Sequence, residues 1–448
     1  MCEKMKELFS KKGLSKLIIP LIIEQLLAVS IGFVDTIMVS SVGEAAVSGV
    51  SLVDSISVLI IQILSALATG GAVVCTQYLG KRKPEMAQKS AGQLMFIMVA
   101  FSGAVMIIIL LSYRFLLRVI FGQISPDVME CAEIYFVLSA ISYPFLGIYN
   151  AGAALFRSMG NSKISMYNSL VMNVLNIGGN AILIMGFHMG VLGAAIATLF
   201  ARIVSCLVMT VMLGKKDNAL RISGVKDLLP QGGIIKKILS IGIPSGIENG
   251  MFQIGKLLVS SLTSTFGTAA IAANAVANNV ASFANIPGNA MGLAIITVVG
   301  RCMGAGEKEQ AKHYSRKLML ASYAGIWITN LVMYLFTPQI VSCFSLSEEA
   351  VVISIELLRS FAICAVFLWP LSFTLPNVLR AAGDAAFTMK VSVFSMWVFR
   401  VISSYVIAGN LGLGVIGVWI GMYIDWLFRS LFFAVRYFRG KWLERKVV

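Results

Sequence analysis

The chain has 448 residues, 58% hydrophobic and 13% charged, with a formal net charge of +15 and a mean hydropathy of +0.86. A soluble domain carries roughly 25% charged residues, so this composition excludes an ordinary soluble fold. The excess of positive charge does not point to nucleic acid, because most of the 36 Lys and Arg residues gather in short segments between apolar runs.

Those runs are long enough to cross a bilayer, which takes about 20 residues. In chain order they lie near 17–40, 47–79, 91–112, 130–156, 164–187 and 191–213, then 237–265, 270–300, 316–337, 350–379, 387–408 and 413–437. The pattern predicts an all-α integral membrane protein with twelve transmembrane helices. The first run follows the basic "KKGLSK" but is too long for a cleaved leader. It carries Glu24 and Asp35 and lacks an A-x-A site, so it is expected to remain as helix 1.

The second set of runs repeats the first at an offset of 224 residues. Pro20 falls over Pro244, Glu24 over Glu248, Gly43 over Gly267, Asp54 over Asn278 and Glu85 over Glu309. Later the register slips by about one residue, and "LFRSMGN" with Arg157 answers "VLRAAGD" with Arg380. Duplication of an apolar chain is a mark of transporters built from matching halves, with a substrate site between them. The expected organisation is an N-terminal segment 1–16, a six-helix bundle 17–213, a linker 214–236, a pseudo-symmetric six-helix bundle 237–437 and a basic tail 438–448.

Basic residues concentrate at the N-terminus, in "GKRKPEMAQK", around Arg157–Lys163, in the linker, in Arg301–Lys317, in Arg380–Lys390 and in the tail. By the positive-inside rule both termini and the linker are expected on the cytoplasmic side of the inner (plasma) membrane. An even number of helices agrees with that.

Enzyme and nucleotide signatures are weak. G-x4-G-K-[ST] does not occur, and "GLGVIG" from Gly412 follows no strand of a βαβ unit. It reads better as small residues that let membrane helices approach. Seven cysteines show no paired spacing and two histidines stand far apart. No disulfide framework, zinc, cofactor or enzymatic catalysis is expected.

Ionisable groups within apolar runs are costly and tend to mark pathways. They are Glu24, Asp35, Asp54, Arg202, Glu248, Lys256, Glu356, Arg359, Arg400, Asp425 and Arg429. Glu356, Arg359 and Arg429 lie near span ends, where snorkelling to the headgroups is the simple reading. Asp35 precedes Gly43 by eight residues, placing it about 12 Å below the outer turn at 1.5 Å per residue. Asn180 precedes His188, and Thr198 follows Gly190, by the same eight residues. Asn176 lies one turn from Asn180 and shares its face.

Asp35, Asn176, Asn180 and Thr198 are thus expected at one depth. Their all-oxygen, singly negative chemistry suits Na+ or H+ rather than Ca2+ or Mg2+. A polar network that only locks helices 1, 5 and 6 is the alternative. Asp35 overlies Val259, so this carboxylate belongs to one half only. Glu24 and Glu248 each follow a proline by four residues, and with Asp54, Lys256 and Asn278 they are candidates for a substrate or proton pathway.

Taken in order and twice over, "VDTIMVSSVG", "ALFRSMGNSKIS", "GVLGAAIAT", "IGIPSG", "FGTAAIAANAVANNV" and "LRAAGD…GVIGVW" resemble the bacterial multidrug and toxic compound extrusion family. The resemblance covers nearly everything from Pro20 to Trp442. It implies two six-helix bundles about a central cavity, and alternating access that exports substrate against inflow of Na+ or H+. It also implies a cation site at Asp35, Asn176, Asn180 and Thr198. Many members carry a Glu eight residues after the helix 7 proline, where this chain has Phe252, so a second coupling site of that type is in doubt. The expected function is a monomeric secondary antiporter for cationic or amphipathic organic compounds, in contact with membrane lipids and not with nucleic acid. A lipid-linked precursor flippase of similar architecture is the alternative, for which Arg202, Lys256 and Arg400 speak.

Overall fold

A computed structural model describes residues 8–122, 124–222 and 224–448. The first part of the expected N-terminal segment, with Cys2, Lys4 and Lys6, lies outside the described residues. All regular elements among the described residues are helical. The fold divides into two compact units, Lys12–Gly242 and Ile243–Val448, the latter together with residues up to Lys11.

In the first unit, α1 (Lys11–Ser40), α2 (Glu44–Gly80), α3 (Pro84–Phe121), α4 (Pro126–Ser158), α5 (Ser162–Asn180) and α6 (Gly190–Leu213) follow one another with short turns. α5 ends in a π-helical turn, Ala181–Gly186. Apolar side chains have two destinations. Phe136, Tyr143 and Phe156 of α4 are fully buried, whereas Leu111 of α3 is 84% exposed and Phe115 68%. An apolar surface of that kind is stable against lipid and not against water. The linker is fastened to α3, where Gln93 donates from Nε2 to the Leu229 carbonyl at 2.8 Å and accepts from the Gln231 N–H at 2.8 Å.

α7 (Gly232–Ser264) spans the division between the units. The second unit continues with α8 (Thr268–Ala284), α9 (Ile286–Ala305), α10 (Lys308–Leu335), α11 (Thr337–Ser342), α12 (Glu348–Trp369), α13 (Pro376–Ala381), α14 (Ala385–Ser395) and α15 (Gly414–Phe438). Ser347 caps α12, its hydroxyl accepting from the Ala350 N–H at 3.3 Å, with Glu348 and Glu349 at the positive end of the helix dipole. π-Helical turns Pro370–Thr374, Met396–Ile402 and Tyr405–Asn410 interrupt the later passes.

Two expectations are modified. The single span 270–300 is broken at Asn285, with Pro287 in the first turn of α9. Proline lacks the N–H that would continue α8 and disfavours helix in the residue before it. At the matching position the first half has Ile63, and α2 runs unbroken. Of the twelve passes, eleven helices among the described residues are long and apolar enough to cross a membrane. α7 has the length, 33 residues, but carries Lys236, Lys237, Glu248, Asn249, Gln253 and Lys256.

The basic tail is docked rather than solvated. Trp442 is buried and stacks on Tyr437 with ring centroids 5.5 Å apart. Arg436 and Arg445 reach Asp384 at 2.8 and 3.2 Å.

Candidate functional site

α1, α5 and α6 bring the four sequence-predicted oxygen-bearing side chains together in the first unit. Asn180 donates from Nδ2 to Asp35 Oδ1 at 2.7 Å and to Asn176 Oδ1 at 3.4 Å. Asn176 donates from Nδ2 to Thr198 Oγ1 at 3.0 Å. The contact of α5 with α6 depends on Gly179, whose missing Cβ would sit 2.9 Å from the Ala197 Cβ. With both amide nitrogens spent inside the cluster, Asn180 Oδ1 is buried and accepts no hydrogen bond.

A cavity of about 20 Å³ adjoins the cluster, lined among others by Asp35, Asp54, Tyr135, Asn180 and Thr198. That volume holds about one water-sized species. Asp54 enters from α2, and Tyr135, from α4, lines the cavity beside it. Arg202 lies within electrostatic reach of both carboxylates, while its Nη1 donates to Ser142 Oγ. Two carboxylates and one guanidinium leave the site with the same single negative charge that Asp35 alone would give. Tyr135 was not singled out in the sequence, where nothing distinguishes a neutral phenol in an apolar helix. Nor does spacing reveal that α2 and α4 bring Asp54 and Tyr135 to Asp35.

Glu24 and Glu248 occupy equivalent settings. Glu24 is buried and pairs with Arg157 at 2.8 Å, and Ser165 Oγ donates to its other oxygen at 2.7 Å. Glu248, also buried, pairs with Arg380 at 2.7 Å and lies 3.6 Å from Arg429. It accepts from Thr388 at 3.2 Å and from Ser392 at 2.6 Å. The two glutamates and the two arginines were both visible as repeat partners, but helical spacing did not pair one set with the other.

The remaining candidates lie in the second unit. Asn278 donates to the Asn274 carbonyl at 2.8 Å and to its side-chain oxygen at 3.1 Å, and Trp419 Nε1 donates to that oxygen at 2.9 Å. Lys256 is exposed on α7. Arg429 does not snorkel. It is 3% exposed, and its guanidinium carbon sits 4.6 Å from the Phe373 ring centroid. One turn away on α15, Asp425 is fully buried and accepts from Ser395 Oγ.

The MatE family model matches residues 20–182 and again 244–406, two matches set apart by the offset of the internal repeat. The uncharacterized transporter YisQ of Bacillus subtilis is 27% identical over 444 residues, which cover 95% of this chain and 94% of that protein. The probable multidrug resistance protein NorM of Thermotoga maritima is 27% identical over 442 residues, covering 98% and 94%. Among solved structures, a crystal structure of MATE in the bent conformation has the same fold, with a TM-score of 0.88 at 23% identity over 97% of this chain and 96% of that one.

Proposed function

We propose a cation-coupled exporter of amphipathic organic compounds for this chain, which belongs to the MatE family and is a multi-pass membrane transporter, not an enzyme. Coupling is to inflow of Na+ or H+, and the cation is taken at Asp35, Asn176, Asn180 and Thr198. The observation that carries this reading is the buried Asn180 Oδ1 without a donor, beside Asp35 and a cavity that fits one small species. Asn168 and Asn173 of α5 also bury an unpartnered Oδ1, but only that of Asn180 belongs to a residue lining the cavity with Asp35, and an unsatisfied buried polar atom costs about 1–3 kcal/mol. A cation satisfies it.

The set contains no excess of carboxylate, as suits a monovalent ion. Cation binding drives transport through its different affinity for the inward- and outward-facing states. When Na+ or a proton occupies the site, Asp35 is neutralised and its pull on the Asn180 amide weakens. α1 is then released from α5 and free to shift. The chain works as a monomer in the plasma membrane, with both termini cytoplasmic. Arg202 faces two carboxylates in a site of net negative charge, which weighs against a pyrophosphate and so against a lipid-precursor flippase.

Efflux of a cationic dye from reconstituted vesicles under an imposed Na+ or pH gradient tests the proposal. Asp35→Asn should lose the gradient-driven component, by roughly 5–150-fold, the range spanned by site–site coupling of about 1–3 kcal/mol. Wild-type efflux and gradient dependence in the folded mutant would reject it.

A further inference from the structure

The second unit buries more positive charge than it neutralises. Glu248 and Asp425 are the carboxylates that act on Arg380, Arg400 and Arg429, and the charge acting on Lys256 is Arg400, of its own sign. Two negative groups thus face three largely buried guanidiniums, with the exposed Lys256 ammonium beside them. Arg400 is 7% exposed and Arg429 3%. Buried Nε atoms of Arg380, Arg400 and Arg429, and Nη1 of Arg429, have no hydrogen-bond partner, nor does Trp426 Nε1; against these donors stands one unpartnered carboxylate acceptor, Asp425 Oδ2. Buried charges are ordinarily paired and hydrogen-bonded, so this concentration of unspent donors calls for an acceptor.

The surroundings are aromatic. The Arg400 and Arg429 guanidinium carbons lie 5.3 and 5.8 Å from the Phe252 ring centroid. Phe373 contacts Phe252, Trp369 and Trp426 at 6.1, 5.2 and 5.7 Å between centroids. Phe252 and Lys256 share one face of α7, a turn apart. The turn carrying Arg400 is π-helical, a local irregularity common at functional sites. It seats closely on α7, since a Cβ at Gly255 would fall 2.5 Å from the end of the Met396 side chain. The exposed Lys256 marks the open end of the cluster.

We propose that Arg400 and Lys256, backed by Arg429, form an anion site that takes the carboxylate of an amphipathic aromatic substrate, whose ring packs in the Phe252 and Phe373 layer. The substrate assignment rests on the exporter reading; the site itself does not. An acid bearing both a carboxylate and a ring satisfies the donors and the aromatic shell at once, which chloride or phosphate does not.

The test is equilibrium dialysis of the full-length protein in detergent at neutral pH, with naphthoate and its neutral amide as probes. Naphthoate should bind saturably, with naphthamide about tenfold or more weaker, as expected when a charge-assisted hydrogen bond is lost. Arg400→Gln and Lys256→Gln should each weaken naphthoate by a similar factor. Both should stay monodisperse and melt no lower than wild type, because a cation short of partners contributes little to the fold. Equal binding of acid and amide, or wild-type naphthoate binding in both variants, would overturn the site. Displacement by chloride with no preference for the aromatic acid would reassign it to an inorganic anion and overturn the substrate. The measurement needs no gradient, so naphthoate binding without gradient-driven efflux of either the dye or naphthoate would fault the exporter reading alone. Dye efflux without naphthoate binding would fault this inference alone.

Discussion

At the scale of single residues, the two carboxylates of α1 are used differently. Glu24 has a complete set of partners in Arg157 and Ser165, whereas Asp35 sits beside an amide whose oxygen is open. Removing one member of a buried pair strands the other, at about 3–5 kcal/mol. Glu24→Ala should therefore lower the melting temperature strongly, and adding Arg157→Met should recover part of the loss. Additive losses in this double-mutant cycle would show that the pair is not coupled. The depth of Asp35, Asn180 and Thr198 could be read from the sequence because helical rise is constant and each residue stands eight places from a turn. Their enclosure by Tyr135 and Asp54 could not, because it depends on how α2 and α4 rotate against α1. The burial of Arg429 was hidden for a related reason. Position near a span end says nothing about which way a side chain faces, and α15 turns this one onto Phe373.

At the scale of elements, close approach of α5 to α6 fixes the candidate cation site. Gly179→Val places new atoms against Ala197 and should cost about 1–3 kcal/mol as overpacking, together with loss of gradient-driven efflux. Gly178→Ala, one residue away, meets nothing within 4 Å and should be neutral or stabilising by about 0.4–1 kcal/mol. Thermal melts of the pair, with efflux of the valine variant, check both. If the two variants behave alike, packing at Gly179 is not what positions Asn180. Helix periodicity set out the long passes, but the break between α8 and α9 shows its limit. The apolar pattern continues through 270–300, and only Pro287 signals that the backbone cannot. Of the π-helical turns, Pro370–Thr374 likewise opens on a proline, whereas Met396–Ile402 carries neither proline nor glycine to mark it.

At the scale of the molecule, duplication was the most legible feature, and family matches at 20–182 and 244–406 reproduce it. The structure adds that both copies keep the same clasp, Glu24 with Arg157 and Glu248 with Arg380, while the surrounding charge has diverged. One copy is left acidic around Asp35 and the other basic around Arg400. In the topology we propose, the basic loops put both ends of the chain in the cytoplasm. Membrane-impermeant reagents should therefore leave cysteines introduced near either terminus unmodified in intact cells and label them after lysis. Labelling of one end only in intact cells would mean an odd number of crossings.

The tail extends this divergence to a single turn. Asn161 and Asp384 hold matching places, each just before a helix and neither capping it through its side chain. Asn and Asp serve equally well at such positions, so local backbone demands do not explain the difference. In the second copy the acid meets Arg436 of α15 and Arg445 of the tail. The charge thus follows a distant partner and not the demands of the turn. One turn stays neutral, while its twin answers to a helix and a segment some fifty to sixty residues further along the chain.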